Sequence, residues 1–448
     1  MRRLVNYYLE DWKSSPRRKS LLLRGARQVG KTHAARQLGA SYQSYVEVNL
    51  ERNQRATTIF EPDLDPERII RELALLAGQA IIPGETLLFL DEIQAAPKAI
   101  TSLRYFYEEM PKLHVIAAGS LVDFALEQVG MPVGRITSLH VRPLSFMEFL
   151  CALGKQHLAR AIMSLPIEES LASPIHAQLL DLVGHYLAIG GMPEAVKCWR
   201  DAADPNQCFE VHQELITTYR QDFSKYARKT QLKYLDILFK DIPRQVGDRF
   251  KYSAVDGDYR KRELAPCLDL LCTAGVAHKV IRSAANGLPL GGESYPNDFK
   301  AIFLDVAIGQ AVLGHDPRNW ILDPANSFAN KGGLMEAYVG QELLCYSDPR
   351  GLQDLYYWHR AQRTSQPEVD YVCASKGQVV PVEVKAGPGT TLRSLRQFLD
   401  RRPQSPYGVR FSTQNYSIHD DVHSYPLYAV AQAFFRDTEA FKFLVTEG

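Results

Sequence analysis

The sequence predicts an α/β chain of several domains. Three observations carry that expectation. Short apolar runs alternate with helical spacings over residues 1–145, a nearly all-helical stretch follows to about 240, and alternation returns after about 330. At about 150 residues per domain, a length of 448 residues accommodates three or so.

Each element follows from its own pattern. Residues 20–24 (SLLLR), 86–90 (TLLFL) and 114–118 (HVIAA) are short apolar runs that read as buried strands, and 45–50 (YVEVNL) alternates like a strand. Residues 139–141 supply a fifth strand. Helical spacing marks 31–38, and it marks 66–79 through Ile69, Ile70, Leu73, Leu76 and Ala77. Strands alternating with helices imply a mostly parallel sheet covered on both faces. Residues 178–187 and 209–225 carry long helical patterns, and Gly190-Gly191-Met192-Pro193 breaks the helical stretch. In residues 241–329 a helix at 261–274 precedes a strand at 276–282 and a Gly-rich tip at 286–292. Helix followed by hairpin is a winged-helix-like order; a small connecting subdomain is the alternative. Residues 330–448 read as a helix at 334–346, strands at 355–359, 369–374, 379–384 and 407–412, and a helix at 391–400 before the last strand. The expected domains are therefore 1–145, 146–240, 241–329 and 330–448.

Composition narrows the function classes. Lys plus Arg number 52 against 51 Asp plus Glu, which excludes a globally basic nucleic-acid coat but not local basic patches. The seven cysteines form no C-x-x-C pair, and an odd count fits reduced thiols. The twelve histidines show no zinc-ligand spacing. The N-terminal residues are interrupted by charge, and no run of about 18 apolar residues occurs, so neither a secretion signal nor a membrane span is expected. The expectation is a cytoplasmic protein with no membrane partner.

Gly25-Ala26-Arg27-Gln28-Val29-Gly30-Lys31-Thr32 matches G-x-x-x-x-G-K-[ST] between a buried strand and a helix. Gly25 and Gly30 permit torsions that aim backbone N–H groups at phosphate oxygens, and the helix N-terminus adds positive potential there. Lys31 neutralises β/γ-phosphate charge and Thr32 offers a hydroxyl to Mg²⁺. About 60 residues on, the apolar strand 87–90 ends in Asp91 and Glu92. Asp91 suits the metal, and Glu92 suits activation of the attacking water. The expected ligands are ATP and Mg²⁺.

A second constellation lies near the C-terminus. Asp370 sits on one short apolar strand, while Glu383 and Lys385 stand two apart on the next, so both project from one face. A hairpin through Ser375-Lys376-Gly377 brings the three together. Two carboxylates can hold Mg²⁺, and a lysine can position water for attack on a phosphodiester. An ordinary ion pair on a half-exposed strand is the plainer reading of the same residues.

The phrases LLLRGARQVGKT (21–32), LLFLDEIQ (87–94), AAGSL (117–121), VGRI (133–136), RPLSFMEFL (142–150) and GGMPEAV (190–196) resemble prokaryotic AAA-type P-loop ATPases that carry a C-terminal domain similar to PD-(D/E)XK nucleases. The resemblance implies an AAA-type parallel sheet, a helical lid over residues 146–240 and a restriction-endonuclease-like α/β domain at 330–448. It implies a γ-phosphate sensor at Ser120, where the wider class more often has Asn. It implies an arginine finger at Arg135 acting on a neighbouring copy, hence a homo-oligomer. It also makes Glu336 the helical acid of the metal site with Asp370 and Glu383, Lys385 its catalytic lysine, and Gln397 a supporting group. The implied function is ATP hydrolysis driving a domain that acts on or binds DNA. The alternative is a nucleotide-controlled switch whose nuclease-like domain is inactive and only grips nucleic acid or protein.

Two basic stretches remain open between a phosphate track and a solvated face. One comprises Arg360, Arg363, Arg393, Arg396, Arg401 and Arg402; the other runs through Lys225, Arg228, Lys229, Lys233, Lys240, Arg244 and Arg249.

Overall fold

The computed structural model describes residues 1–130, 134–322, 328, 331–360, 367–386 and 392–446. Val133, Arg363 and Thr391 lie outside the described residues.

Five strands form the first sheet: β1 (Ser20–Arg24), β2 (Ser44–Asn49), β3 (Thr86–Asp91), β4 (His114–Ala118) and β5 (Ile136–His140). Their order is β2-β3-β4-β1-β5, parallel throughout. Period-two alternation sorts their side chains. Leu21, Leu23, Leu87, Phe89 and Ile116 join the core on one face, under the helices Leu4–Ser14 and Lys31–Gly39. Leu22, Leu88, Leu90, Val115 and Ala117 join the other, with Ile69 and Leu73 of the helix Pro66–Ala77 and Leu103 and Phe106 of Pro97–Glu109. Asp65 caps the helix Pro66–Ala77 by accepting from the Glu67 N–H, Pro66 opens it, and Gly78 closes it in the left-handed conformation. The fifth strand begins three residues earlier than expected. The helix Leu4–Ser14 went unforeseen because the charges around it mask its apolar stripe of Leu4, Val5, Leu9 and Trp12.

The helices Phe146–Ala152, Gln156–Ser164, Ser173–Ile189, Pro193–Ala202, Pro205–Tyr226 and Leu232–Asp241 follow. The first opens on a capping box, Ser145 with Glu148. Glu148 is also the partner of Arg3, whose Nε donates to it at 2.7 Å while NH1 donates to Val29 O at 3.3 Å. The N-terminal segment, the phosphate loop and the helical layer are thereby joined.

Eight strands form the second sheet: β6 (Ala277–Ser283), β7 (Ser294–Phe303), β8 (Leu355–His359), β9 (Glu368–Ser375), β10 (Gln378–Lys385), β11 (Gly408–Ser412), β12 (Ser417–His419) and β13 (Val422–Pro426), in the order β12-β13-β11-β10-β9-β8-β6-β7. The helix Lys261–Thr273 does precede a hairpin, β6–β7. That hairpin does not stand off as a wing, however. β6 pairs in parallel with β8, so residues on both sides of position 330 share one mixed sheet. The difference has a physical reason: Lys279, Arg282 and Lys300 break the strands' apolar alternation, and Lys300 finds its partner, Glu336, beyond position 330. No helix among the described residues is long and apolar enough to cross a membrane.

Candidate functional site

The turn after β1 carries the first site. Gly25, at φ +130°, leaves no room for a side chain, since a Cβ there would meet Val141 O at 2.2 Å. Gly30 adopts a left-handed conformation and caps the helix Lys31–Gly39. Lys31 is buried. Its Nζ donates to Gly25 O at 2.9 Å and Ala26 O at 2.8 Å, across the mouth of the loop. Burial lowers its pKa to about 8, against the opposing pull of Glu92 and Asp91. The loop is braced from outside: Tyr219 donates to Arg27 O at 2.7 Å, and Arg27 pairs with Asp222 at 3.0 Å, both acceptor and donor partners lying on the helix Pro205–Tyr226.

β3 delivers Asp91 and Glu92 to the same end of the sheet. Thr32 Oγ1 lies 3.3 Å from each oxygen of Asp91, and Asn49 Nδ2 donates to Asp91 Oδ2 at 3.3 Å. Burial and then the Glu92 charge hold the Asp91 pKa above its ordinary value. Glu92 adopts φ +51° and receives Gln94 Nε2 at 2.6 Å. Ser120 is buried with no partner for its Oγ, at the end of β4. A buried hydroxyl without a partner is costly. With the glycine cradle and buried ammonium, it fits a site shaped for a polyphosphate and the cation between Thr32 and Asp91.

Arg135 lies at the opposite end of the sheet. In the β1–β5 register Ser20 faces Ile136 and Arg24 faces His140. Arg135 therefore sits about 16 Å below the loop, at about 3.3 Å per residue. It is exposed, and its Nε donates to Glu108 at 2.6 Å.

The second site gathers on the second sheet. The helix Gly332–Tyr346 contributes Glu336, β9 contributes Glu368 and Asp370, and β10 contributes Glu383 and Lys385. Asp370 Oδ2 accepts from the Val384 N–H at 2.7 Å, and Lys385 Nζ donates to Glu383 Oε1 at 2.5 Å. All four predicted positions thus converge. A fifth residue, missed by the sequence reading, stands among them. Lys300 on β7 is buried, and its Nζ lies 2.7 Å from Glu336, 2.5 Å from Glu368 and 3.7 Å from Asp370. Burial alone would lower the Lys300 pKa; Glu336, Asp370 and Glu368 outweigh it and hold it raised. Burial, then Asp370, lifts Glu383 to about 7. Among the described residues, no group of three or more His, Cys, Asp or Glu is arranged to hold a metal ion. Two of the expected set, Glu336 and Asp370, instead face the Lys300 ammonium together with Glu368, and Glu383 pairs with Lys385, so lysines balance the charge that a cation would otherwise balance. Gln397 lies on the helix Arg393–Leu399, with no contact to these carboxylates among the described hydrogen bonds.

The basic stretches divide. Arg402 is buried, donates to Ala284 O and Ala285 O, and lies over the rings of Phe398 and Trp358, so it is a packing residue. Lys225 pairs with Glu51 and Asp222, and Lys240 with Asp236. Arg393, Arg396 and Arg401 are exposed.

Residues 17–150 match the family model described as an AAA domain. The N-terminal third is an AAA-type P-loop domain. Residues 180–319 and 331–430 match two further models, each described as a domain of unknown function, DUF8612 and DUF4143. The sequence units thus divide near residue 325, while the second sheet runs across that division. No curated protein matches the chain. Among solved structures, the Aeropyrum pernix ORC1 protein in complex with DNA is similar at 15% identity, covering 69% of this chain and 90% of that one, with a TM-score of 0.28. AMPPCP-bound DnaA from Aquifex aeolicus is similar at 15% identity, covering 60% of this chain and 76% of that one, with a TM-score of 0.25. Scores this low do not equate the folds.

Proposed function

We propose that the chain binds and hydrolyses ATP at the P-loop. The observation that carries this reading is the convergence of a buried Lys31, the Thr32–Asp91 pair and Glu92 at one end of a parallel sheet. Lys31 leaves the Gly25 and Ala26 carbonyls to meet phosphate oxygens, and the loop N–H groups orient them. Thr32 and Asp91 hold Mg²⁺, which when bound screens charge on the phosphates. Glu92 takes the proton from water as its oxygen bonds to the γ-phosphorus; the bond to the bridging oxygen breaks and ADP leaves. Ser120 donates to the terminal phosphate. Arg135 cannot reach its own loop from the far end of β5, so it serves a neighbouring copy, and the working form is a homo-oligomer. Titration calorimetry tests the reading. Wild type takes up ATP, Lys31→Ala does not, and Glu92→Gln binds ATP without turning it over. A folded wild type that gives no heat with ATP sinks the proposal.

For the C-terminal sheet, the order helix, β8, β9, β10, helix, β11 supports a nuclease-like domain, with antiparallel β8–β9–β10 and parallel β10–β11. DNA is the proposed partner. Lys300 favours the second reading, a nucleotide-controlled switch whose nuclease-like domain does not cut, because a metal would have to displace a buried ammonium held by two carboxylates within 2.7 Å. Mn²⁺ titration of the full chain separates the two. Binding lost in Asp370→Ala, with DNA cleavage, favours the nuclease; DNA binding without metal uptake favours the switch.

A further inference from the structure

Gln94 is a side chain that the P-loop chemistry above does not use. It lies two residues after Glu92, in the 3-10 turn Ile93–Ala95. Its Nε2 donates to Glu92 Oε2 at 2.6 Å. Its Oε1 is buried and has no hydrogen-bond partner. Packing alone does not account for that arrangement. An amide kept for structure would satisfy both ends, since an orphaned buried acceptor costs free energy. Here only the end that touches Glu92 is satisfied.

The other end of the amide is held by shape. A Cβ on Gly119 would lie 2.0 Å from Gln94 Oε1 and 3.1 Å from Cδ. A side chain at Gly119 would therefore displace the amide from its place beside Glu92. Gly119 precedes Ser120, whose own Oγ is buried and unpartnered. Glu92 itself sits in a left-handed conformation uncommon for a residue with a side chain, so its backbone aims the carboxylate and a neighbour must fix its rotamer.

We propose that Gln94 is the positioning residue for Glu92. It grips one carboxylate oxygen, leaves the other to the attacking water, and is itself set by the turn that carries Ser120. Contact between Ser120 and a terminal phosphate is thereby relayed through Gly119 and Gln94 to the group that takes the proton. This inference rests on the ATPase reading.

The experiment is steady-state ATP hydrolysis by the full chain, with ATP affinity by calorimetry. Gln94→Ala lowers kcat about tenfold or more, a fraction of what general-base catalysis supplies, while KM and ATP affinity stay within about twofold of wild type. Gly119→Ala, which pushes the amide aside, gives the same split. The double variant is no slower than the slower single one, because both act through one contact. Gln94→Ala adds no loss in a Glu92→Gln background. If Gly119→Ala does not fold, Gln94→Asn, one methylene too short to reach Glu92, replaces it. Unchanged kcat in Gln94→Ala overturns the inference, as do losses that multiply in either double variant. A wild type that hydrolyses no ATP overturns the ATPase reading instead, so the two failures are distinct.

Discussion

Lys300 and Glu336 meet at 2.7 Å with side chains 1% and 9% exposed, an ion pair joining β7 to the helix Gly332–Tyr346 across what two family models treat as separate units. Glu368 completes the pair from β9 at 2.5 Å. Removing one member of a buried pair leaves an uncompensated charge, whereas removing both is far less harmful. Lys300→Met should therefore destabilise the chain by about 3–5 kcal/mol, the usual cost of breaking a buried pair. Lys300→Met with Glu336→Leu should recover a large part of that. Urea midpoints of the three proteins check it. Equal midpoints for wild type and Lys300→Met would show the pair to be without structural weight.

How much of this was legible beforehand depends on the separation in sequence. The P-loop was legible because Gly25 to Thr32 is contiguous and local torsion dictates its residues. Asp91 and Glu92 were legible because an apolar run ended in them. Asp370, Glu383 and Lys385 were expected on two strands joined by a hairpin, and the structure brings them together with Glu336. Lys300 was not, because nothing local to β7 announces that its partners lie 36 and 68 residues downstream. Gln94 appeared only as the end of the phrase LLFLDEIQ, since a hydrogen bond to Glu92 and a contact with Gly119 leave no periodic mark. Arg135 was legible as an arginine, but its place at the start of β5 required the register.

Gly25→Ala should abolish ATP binding and lower the melting temperature. The added methyl meets Val141 O at 2.2 Å, and φ +130° is strained for any side chain. Gly30→Ala meets nothing closer than 3.5 Å, so only the strain of φ +99° acts and its loss of stability should be smaller. Thermal melts with calorimetry rank the two. Equal melting temperatures would show that Val141 yields.

Stability should fall between about pH 4.5 and 8, in part through Glu342. This buried carboxyl accepts from the Phe146 N–H at 2.9 Å and from the Tyr346 hydroxyl. Glu148, Tyr186, Tyr338, Cys345 and Tyr346 lie around it, and Arg3 pairs with Glu148 rather than with it. Burial raises its pKa from 4.5 to about 8. The folded chain thus holds a proton that the unfolded chain has lost across that window, so stability declines as pH rises through it. Glu342→Gln keeps the oxygen that accepts from Phe146 and cannot ionise. Urea midpoints at pH 5, 6.5 and 8 should fall less steeply in the variant than in wild type. Parallel lines would place the proton elsewhere.

Arg135→Ala should leave the subunit folded and its ATP affinity intact. The residue is exposed, and its pair with Glu108 is a solvent-screened surface pair of little structural weight. Turnover should fall sharply, by up to about 10³-fold, the lower range for an arginine that stabilises transition-state charge. The loss belongs to the neighbour's site, so mixing decides the matter. Glu92→Gln subunits retain Arg135 and lack the water-activating carboxylate, while Arg135→Ala subunits retain Glu92. A mixture of the two inactive proteins should recover turnover, because some interfaces then pair an intact Arg135 with an intact Glu92. A mixture as inactive as its components, under conditions where wild type hydrolyses ATP, would confine Arg135 to its pair with Glu108.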